Sequence, residues 1–296
     1  SCGALESVTL PSGLTSLSDS LFRSCSSLTN VNGENEVIIG SLVESIGDYA
    51  FSGCSSITKV TIPESVTSIG SYAFSECSSL IEITIPKSVT NIESYAFNGC
   101  ENLVRVNSQT DGKFILQEGL ESIGDYAFQN VSKMTEIVVP DSVTSIGAGA
   151  FKGCNALTKM TLPFVGASRT ATVYDAVFGY IFGSTTTTSG KSAYNGTMTV
   201  SNAFINQQYS SVSGAVWQYS YVNERLNSSY YGIQSYFYYI PSSLREIVIT
   251  DASKISSAAF NGCNMLTSLT LNEGIATVSS YAFYNCDGLT EMVIPE

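Results

Sequence analysis

The residues in this chain best placed to do chemistry are its eight cysteines, and they are spaced to a rule. Cys2 and Cys25 are 23 residues apart, as are Cys54 and Cys77, Cys77 and Cys100, and Cys263 and Cys286. Paired thiols could form disulfides, clustered thiolates could hold zinc, and a single ionised thiol could act as a nucleophile. Zinc is poorly served, because the sequence has no CxxC pair and no histidine. Lack of histidine also removes the usual neutral-pH base and every His-dependent triad. Disulfides would find Cα atoms of adjacent turns within the permitted ~4.4–6.8 Å, but in-register side chains on successive turns point the same way rather than at each other. Val131 takes the cysteine place between Cys100 and Cys154, so an apolar side chain satisfies it. The expected arrangement is therefore a ladder of buried, reduced thiols acting as small apolar groups. Some disulfides, or one functional thiol, remain the alternatives.

Other chemistry is thinly supported. Asp175 and Glu224 are the only carboxylates between residues 164 and 240, and a retaining glycosidase would need two at about 5–5.5 Å. No phosphate loop, dinucleotide fingerprint or GxSxG elbow occurs, and the acidic turns at Asn32–Glu36 and Asp111 do not match a calcium loop. We expect no enzyme activity, no cofactor and no metal, with a glycan-active enzyme as a remote alternative.

The elements that position the cysteines repeat with them. Three residues after each one comes Leu or Ile, as at Leu28, Ile57, Leu80 and Leu266. Then follow two alternating aliphatics with Pro (Val60, Ile62, Pro63), an aliphatic pair (Val66, Ile69), Gly70, and Ala73-Phe74. Turns start at 2, 25, 54, 77, 100, 131, 154, 241, 263 and 286, with Val131 and Pro241 in the cysteine place. A period of this length means stacked supersecondary units whose core becomes continuous only through stacking. Apolar alternation predicts a short strand in each turn, joined to its neighbours as a parallel sheet. The IGxYAFxxC stretch predicts a tight helical turn on the other side, with Phe22, Phe51, Phe74, Phe97, Phe128, Phe151, Phe260 and Phe283 forming an internal ladder. Between the buried aliphatics of each strand lie Lys59, Glu82, Arg105, Glu136, Lys159 and Glu246, whose signs alternate. That pattern reads as a register-setting ion-pair ladder or, with neighbouring threonines, as a polar recognition face.

Residues 54–76 resemble, nearly throughout, the BspA-like subclass of bacterial leucine-rich repeats, and about three quarters of the chain shares the frame. The resemblance implies an α/β repeat fold: a right-handed leucine-rich-repeat solenoid, parallel sheet on one face and short helical turns on the other. It implies a secreted or surface-attached protein of a host-associated microbe, adhesin-like, binding host matrix protein or other cells.

Three turns are longer than the period, by 6, 8 and 64 residues, in the intervals 25–54, 100–131 and 154–241. All three are expected to emerge along one rim, where repeat proteins often carry binding loops. The organisation is repeats over 1–163, an insertion over 164–240, and repeats again over 241–296. In the insertion 17 of 77 residues are aromatic, including Trp217 and 11 of the 17 Tyr. Rigid aromatics amid Ser, Thr, Gly and Asn suit recognition of protein or sugar. They also suit a small core of the insertion's own. Trp217, Tyr219, Tyr221, Tyr230 and Tyr231 are the candidate ligand contacts.

Net charge is −12, and because residues 164–240 carry +1 the repeats hold −13. Such a surface repels polyanions, so nucleic acid is not expected as a partner. No stretch approaches the ~20 apolar residues of a membrane span. No signal pattern or anchor occurs in this segment, which reads as part of a longer protein. Taken together, these features predict a non-catalytic cell-surface or secreted recognition protein whose partner is a host matrix protein or surface glycan. The alternative is a spacer that presents another domain.

Overall fold

The structure is a computed structural model that describes residues 2–33, 35–172, 175–187, 215–227 and 230–294; for 184–237 and for 239 the description is of backbone alone. Each repeat forms one coil of a solenoid. Short strands such as Lys59–Thr61 and Glu82–Thr84 join into a twelve-stranded parallel sheet that runs from Ser7–Val8 to Glu291–Val293. Alternation places Val60, Ile62, Ile83 and Ile85 in the core, each with 4% exposure or less. A second parallel sheet, six strands of two residues each, is built from the aliphatic pair of the repeat, as at Ser68–Ile69 and Asn91–Ile92.

The helical face expected from IGxYAFxxC is not there: no α-helix occurs among the described residues. The backbone shows why. Two positions in each of these segments have positive φ, four residues apart: Tyr72 (57°) and Glu76 (60°), Tyr95 (60°) and Gly99 (72°), Tyr126 (55°) and Asn130 (60°). A left-handed residue every fourth position ends a right-handed helix before it can propagate. The N–H groups also divide between two uses. Ala73 and Ser75 donate three residues back, to Gly70 and Tyr72, while Tyr72, Phe74 and Glu76 donate to Ser94, Ala96 and Asn98 of the next coil. The result is a staircase of β-turns bonded coil to coil. Gly70 answers a different need, since a Cβ there would lie 2.8 Å from the backbone of Gly47 and Asp48.

Phenylalanines stack through the interior as expected. Ring centroids are 5.3 Å apart for Phe51–Phe74, 5.5 Å for Phe74–Phe97 and 5.3 Å for Phe97–Phe128. Each ring contributes roughly 1.5–3 kcal/mol by burial.

The two short insertions do more than leave along a rim. Each doubles back and lays an extra strand into the large sheet, Val37–Ile38 after Asn30–Val31 and Lys113–Ile115 after Arg105–Val106. An asparagine at each departure stands in for a peptide unit. Asn107 Oδ1 accepts from the Ile85 N–H at 2.8 Å, and its Nδ2 donates to the carbonyls of Ile85 at 2.9 Å and Ile115 at 3.0 Å. Asn32 bridges Leu10 and Ile38 in the same manner. Asn272 does so for Ala252, with both bonds at 3.0 Å.

The large insertion interrupts the sequence but not the sheet. Lys159–Leu162 pairs directly with Glu246–Ile249 over four residues. Residues 163–172 and 175–183 complete the coil that this strand begins: Phe164, Phe178, Ile181 and Phe182 are buried. The 3-10 segment Phe178–Phe182 fills the place of a repeat turn, since Phe151 donates to Ile181 and Phe178 to Ala259. Arg169 locks this coil to its neighbours. Its guanidinium donates to the Val143 carbonyl at 2.7 Å, to the Asp141 carbonyl at 2.6 Å and to Asp251 at 2.9 Å.

Asn107→Ala leaves three strand groups without partners and is expected to cost about 1–3 kcal/mol in urea unfolding. Arg169→Ala should cost a similar ~1–3 kcal/mol and raise hydrogen exchange at Val143 and Asp251 ahead of the remaining coils.

Candidate functional site

The outward side of the large sheet is a row of charges held in register by strand pairing. Lys59 meets Glu36 at 3.3 Å, Arg105 meets Glu82 at 3.1 Å, Lys113 meets Glu136 at 3.1 Å, and Lys159 meets Glu246 at 2.7 Å. The inserted strands add members that the repeat frame alone does not show. Glu36 joins ahead of Lys59. Lys113 enters beside Arg105, so the alternation of sign breaks once, and Asp111 relieves it by bonding the Arg105 guanidinium. That bond, followed by the one from Glu82, holds the Arg105 pKa above its ordinary value. Lys159 is likewise raised, first by its hydrogen bond to Glu246. These pairs are partly exposed, so each contributes little to stability. Their larger effect is to leave a nearly neutral face.

On the opposite side runs an aromatic column that the repeat's Phe ladder masks in the sequence. Tyr49, Tyr72, Tyr95 and Tyr126 stack with centroids 4.7, 4.5 and 4.9 Å apart. A cation closes each end: the Arg23 guanidinium lies 4.6 Å from the Tyr49 ring and the Lys152 ammonium 5.6 Å from Tyr126. Ring faces so covered offer no platform to a ligand. The signal available in sequence was the recurrence of Tyr before Ala-Phe.

The candidate contacts in the insertion fall on two long strands, Ala215–Asn227 and Tyr230–Pro241, which pair antiparallel with Ser184–Thr187 on the far edge of the second. Trp217, Tyr219 and Tyr221 take alternate positions, in register with Tyr239, Phe237 and Ser235; Tyr230 and Tyr231 lie opposite Asn227 and Arg225. Their side chains lie outside the described residues. Asp175 accepts the Thr172 N–H at 3.0 Å, a local turn contact, and the Glu224 side chain lies outside the described residues.

A sequence model of the BspA type leucine rich repeat region, in six copies, matches residues 32–115, 107–223 and 231–296. The chain belongs to that family. Among solved structures it is similar to a leucine-rich repeat protein from Bacteroides ovatus (17% identity over 97% of this chain and 66% of that one, TM-score 0.40). It is also similar to a leucine rich cell surface protein from Faecalibacterium prausnitzii (22%, 99% and 80%, 0.32) and to the T. pallidum leucine rich repeat protein (18%, 86% and 77%, 0.41). The chain therefore spans just under two thirds of the B. ovatus protein's length. No curated protein sequence matches it.

In this BspA-type solenoid the cysteines are free thiols, buried from Cys25 to Cys263, half-buried at Cys286 and exposed at Cys2. Four of the buried thiols reach the preceding coil: Cys54 donates to the Phe22 carbonyl at 3.1 Å, Cys77 to Phe51 at 3.2 Å, Cys100 to Phe74 at 3.1 Å, and Cys154 to Phe128 at 3.1 Å. Those carbonyls already accept a backbone N–H, as Phe74 does from Cys77. The thiol uses a second lone pair, which is why Val131 can replace it without orphaning a group. Burial pushes Cys54 and Cys154 up to about 12 and Cys286 up to about 11, and holds Cys77 and Cys263 well above the usual thiol value. Thiols this hard to ionise make poor nucleophiles. Among the described residues no group of three or more His, Cys, Asp or Glu could hold a metal ion, and no helix is long and apolar enough to cross a membrane.

Raised folded-state values mean that the unfolded chain loses these protons first as pH climbs. For Cys54, Cys154 and Cys286 the contribution is therefore complete below about pH 9 and should fall by about 1.4 kcal/mol per pH unit per thiol between there and pH 11–12. Urea titrations from pH 8 to 11 test this, with Cys54→Val and Cys154→Val each expected to flatten the alkaline slope.

Proposed function

We propose that this chain is a non-catalytic recognition segment of a surface-exposed or secreted protein, and that it binds host matrix protein or surface glycan through the large insertion. One observation carries the reading. Coils on either side of the insertion pair directly with each other, so the residues beyond Gly183 are not needed to make the solenoid continuous. Strands of 13 and 12 residues extend about 40 Å at ~3.3 Å per residue, while the strands of the coils have two to four residues. An excursion of that length, rich in Tyr and carrying the chain's one Trp, has the composition of a binding surface. Leucine-rich repeats generally serve as non-catalytic interaction scaffolds, and the family's resemblance to adhesins supports exposure at the cell surface. Trp217, Tyr219, Tyr221, Tyr230 and Tyr231 are the proposed contacts. The competing reading, a spacer that holds another domain away from the cell, assigns the insertion no ligand.

Ser184 and Tyr238 are paired Cα partners, so residues 185–237 can be replaced by a two-residue Asn-Gly turn without opening the coil. The intact and shortened chains, both confirmed as folded by circular dichroism, would be probed on arrays of matrix proteins and glycans. The expected result is binding by the intact chain alone, weakened at least tenfold by Trp217→Ala or by Tyr219→Ala with Tyr221→Ala. Equal binding by both chains would remove the insertion from recognition, and no binding by either would favour the spacer.

A further inference from the structure

Charges on the sheet face pair across neighbouring strands, and the rim just beyond them behaves differently. Glu64 and Lys87 occupy the same place in successive coils, one residue past Pro63 and Pro86, and Gln117 takes the proline place in the next coil. None of the three has an ion pair or side-chain hydrogen bond among the described residues. They line a groove of about 390 Å³ whose apolar floor includes Ile85 and Pro86. Its far wall is Asn107–Gln109, raised by the second short insertion, and the Gln109 amide is also unpartnered. The three hydrogen bonds of Asn107 to Ile85 and Ile115 fix that wall, so the groove is formed before any ligand arrives.

We propose that this groove is a second recognition site, separate from the insertion, for an extended polar peptide segment of about four residues. The size follows from the sheet. From the strand preceding Glu64 to the strand preceding Gln117 are three strand spacings, Lys59–Thr61 through Glu82–Thr84 and Arg105–Val106 to Lys113–Ile115. At ~4.8 Å each they span about 14 Å, the length of some four extended residues. Chemistry follows from the unpaired groups. Lys87 takes an acidic side chain, Glu64 takes a basic one, and the amides of Gln109 and Gln117 each offer a donor and an acceptor to peptide N–H and C=O groups. The groove has a volume within the ~300–1,000 Å³ of small-ligand sites. A sugar fits less well, because no aromatic ring lines the groove to cover its C–H-rich face.

The test is a synthetic array of N-acetylated, C-amidated tetrapeptides, each with one acidic and one basic residue, printed beside mono- to tetrasaccharides and probed with the 296-residue chain. Dissociation constants of the hits would be measured by calorimetry. A subset of tetrapeptides should bind, with affinity falling at least tenfold for Lys87→Ala and for Gln109→Ala. Glu64→Gln should weaken binding, and an alanine replacing the peptide's basic residue should then cost nothing further. The exposed Lys133→Ala and the chain shortened over 185–237 should bind as the parent does, which separates this site from the one proposed on the insertion. Lack of any tetrapeptide hit, hits indifferent to Lys87→Ala and Gln109→Ala, or sugar hits alone that those substitutions remove would each overturn the proposal.

Discussion

Hydrogen bonding between successive coils at matching positions is the constraint on which the rest of this structure depends. On the turn face alternate N–H groups leave their own coil and reach the next, as Tyr72, Phe74 and Glu76 reach Ser94, Ala96 and Asn98. Once those bonds are made, a residue and its counterpart 23 positions later must lie one above the other. Identical side chains then meet, and only types that tolerate self-stacking can occupy a given place. Phenylalanine stacks on phenylalanine inside, tyrosine on tyrosine outside, and a thiol sits beneath a Phe carbonyl with a lone pair to spare. Carboxylates and ammoniums would repel their own kind, so their places alternate in sign along the sheet except where Lys113 follows Arg105 and Asp111 offsets the pair.

The same constraint decides how the chain departs from its period. An extra strand can enter only if the ladder stays satisfied on both sides, and Asn32 and Asn107 achieve this by offering an amide of their own where the main chain has turned away. For the large insertion the chain first completes the coil through residue 183, with Arg169 tying it to the flanking turns, and resumes at Pro241 in the cysteine place. Growth by insertion is thus confined to points where hydrogen-bond supply can be restored locally.

Much of the solenoid was legible in the sequence because each of its features is repeated some ten times. The strand positions, the Phe ladder and the buried cysteine places all follow from apolar periodicity. Departures from that reading have particular causes. Ser-Tyr-Ala-Phe has acceptable helix propensity, but left-handed φ at Tyr72 and Glu76 is imposed by the neighbouring coil, a contact that local sequence does not encode. Lys113 was outside the charge frame because its strand comes from an insertion and not from a repeat. The groove beside Asn107 was invisible for the same reason: it exists only where an inserted loop rises next to regular coils. Trp217 and the four candidate tyrosines stood out by composition alone, which marks a region without fixing which atoms a partner touches.

Coil-to-coil bonding also sets how the molecule responds to a load applied between its ends. Hydrogen bonds of the parallel sheets run along the stacking axis, so a lengthwise pull does not shear them together but opens them one coil at a time. Each 23-residue coil would release a contour length of about 80 Å at ~3.4 Å per residue, giving a regular sawtooth at modest force. The coil held by Arg169 would interrupt that series with a stiffer step, since four guanidinium bonds must yield as well. A chain of this construction would lengthen by steps under load while its remaining coils stay folded.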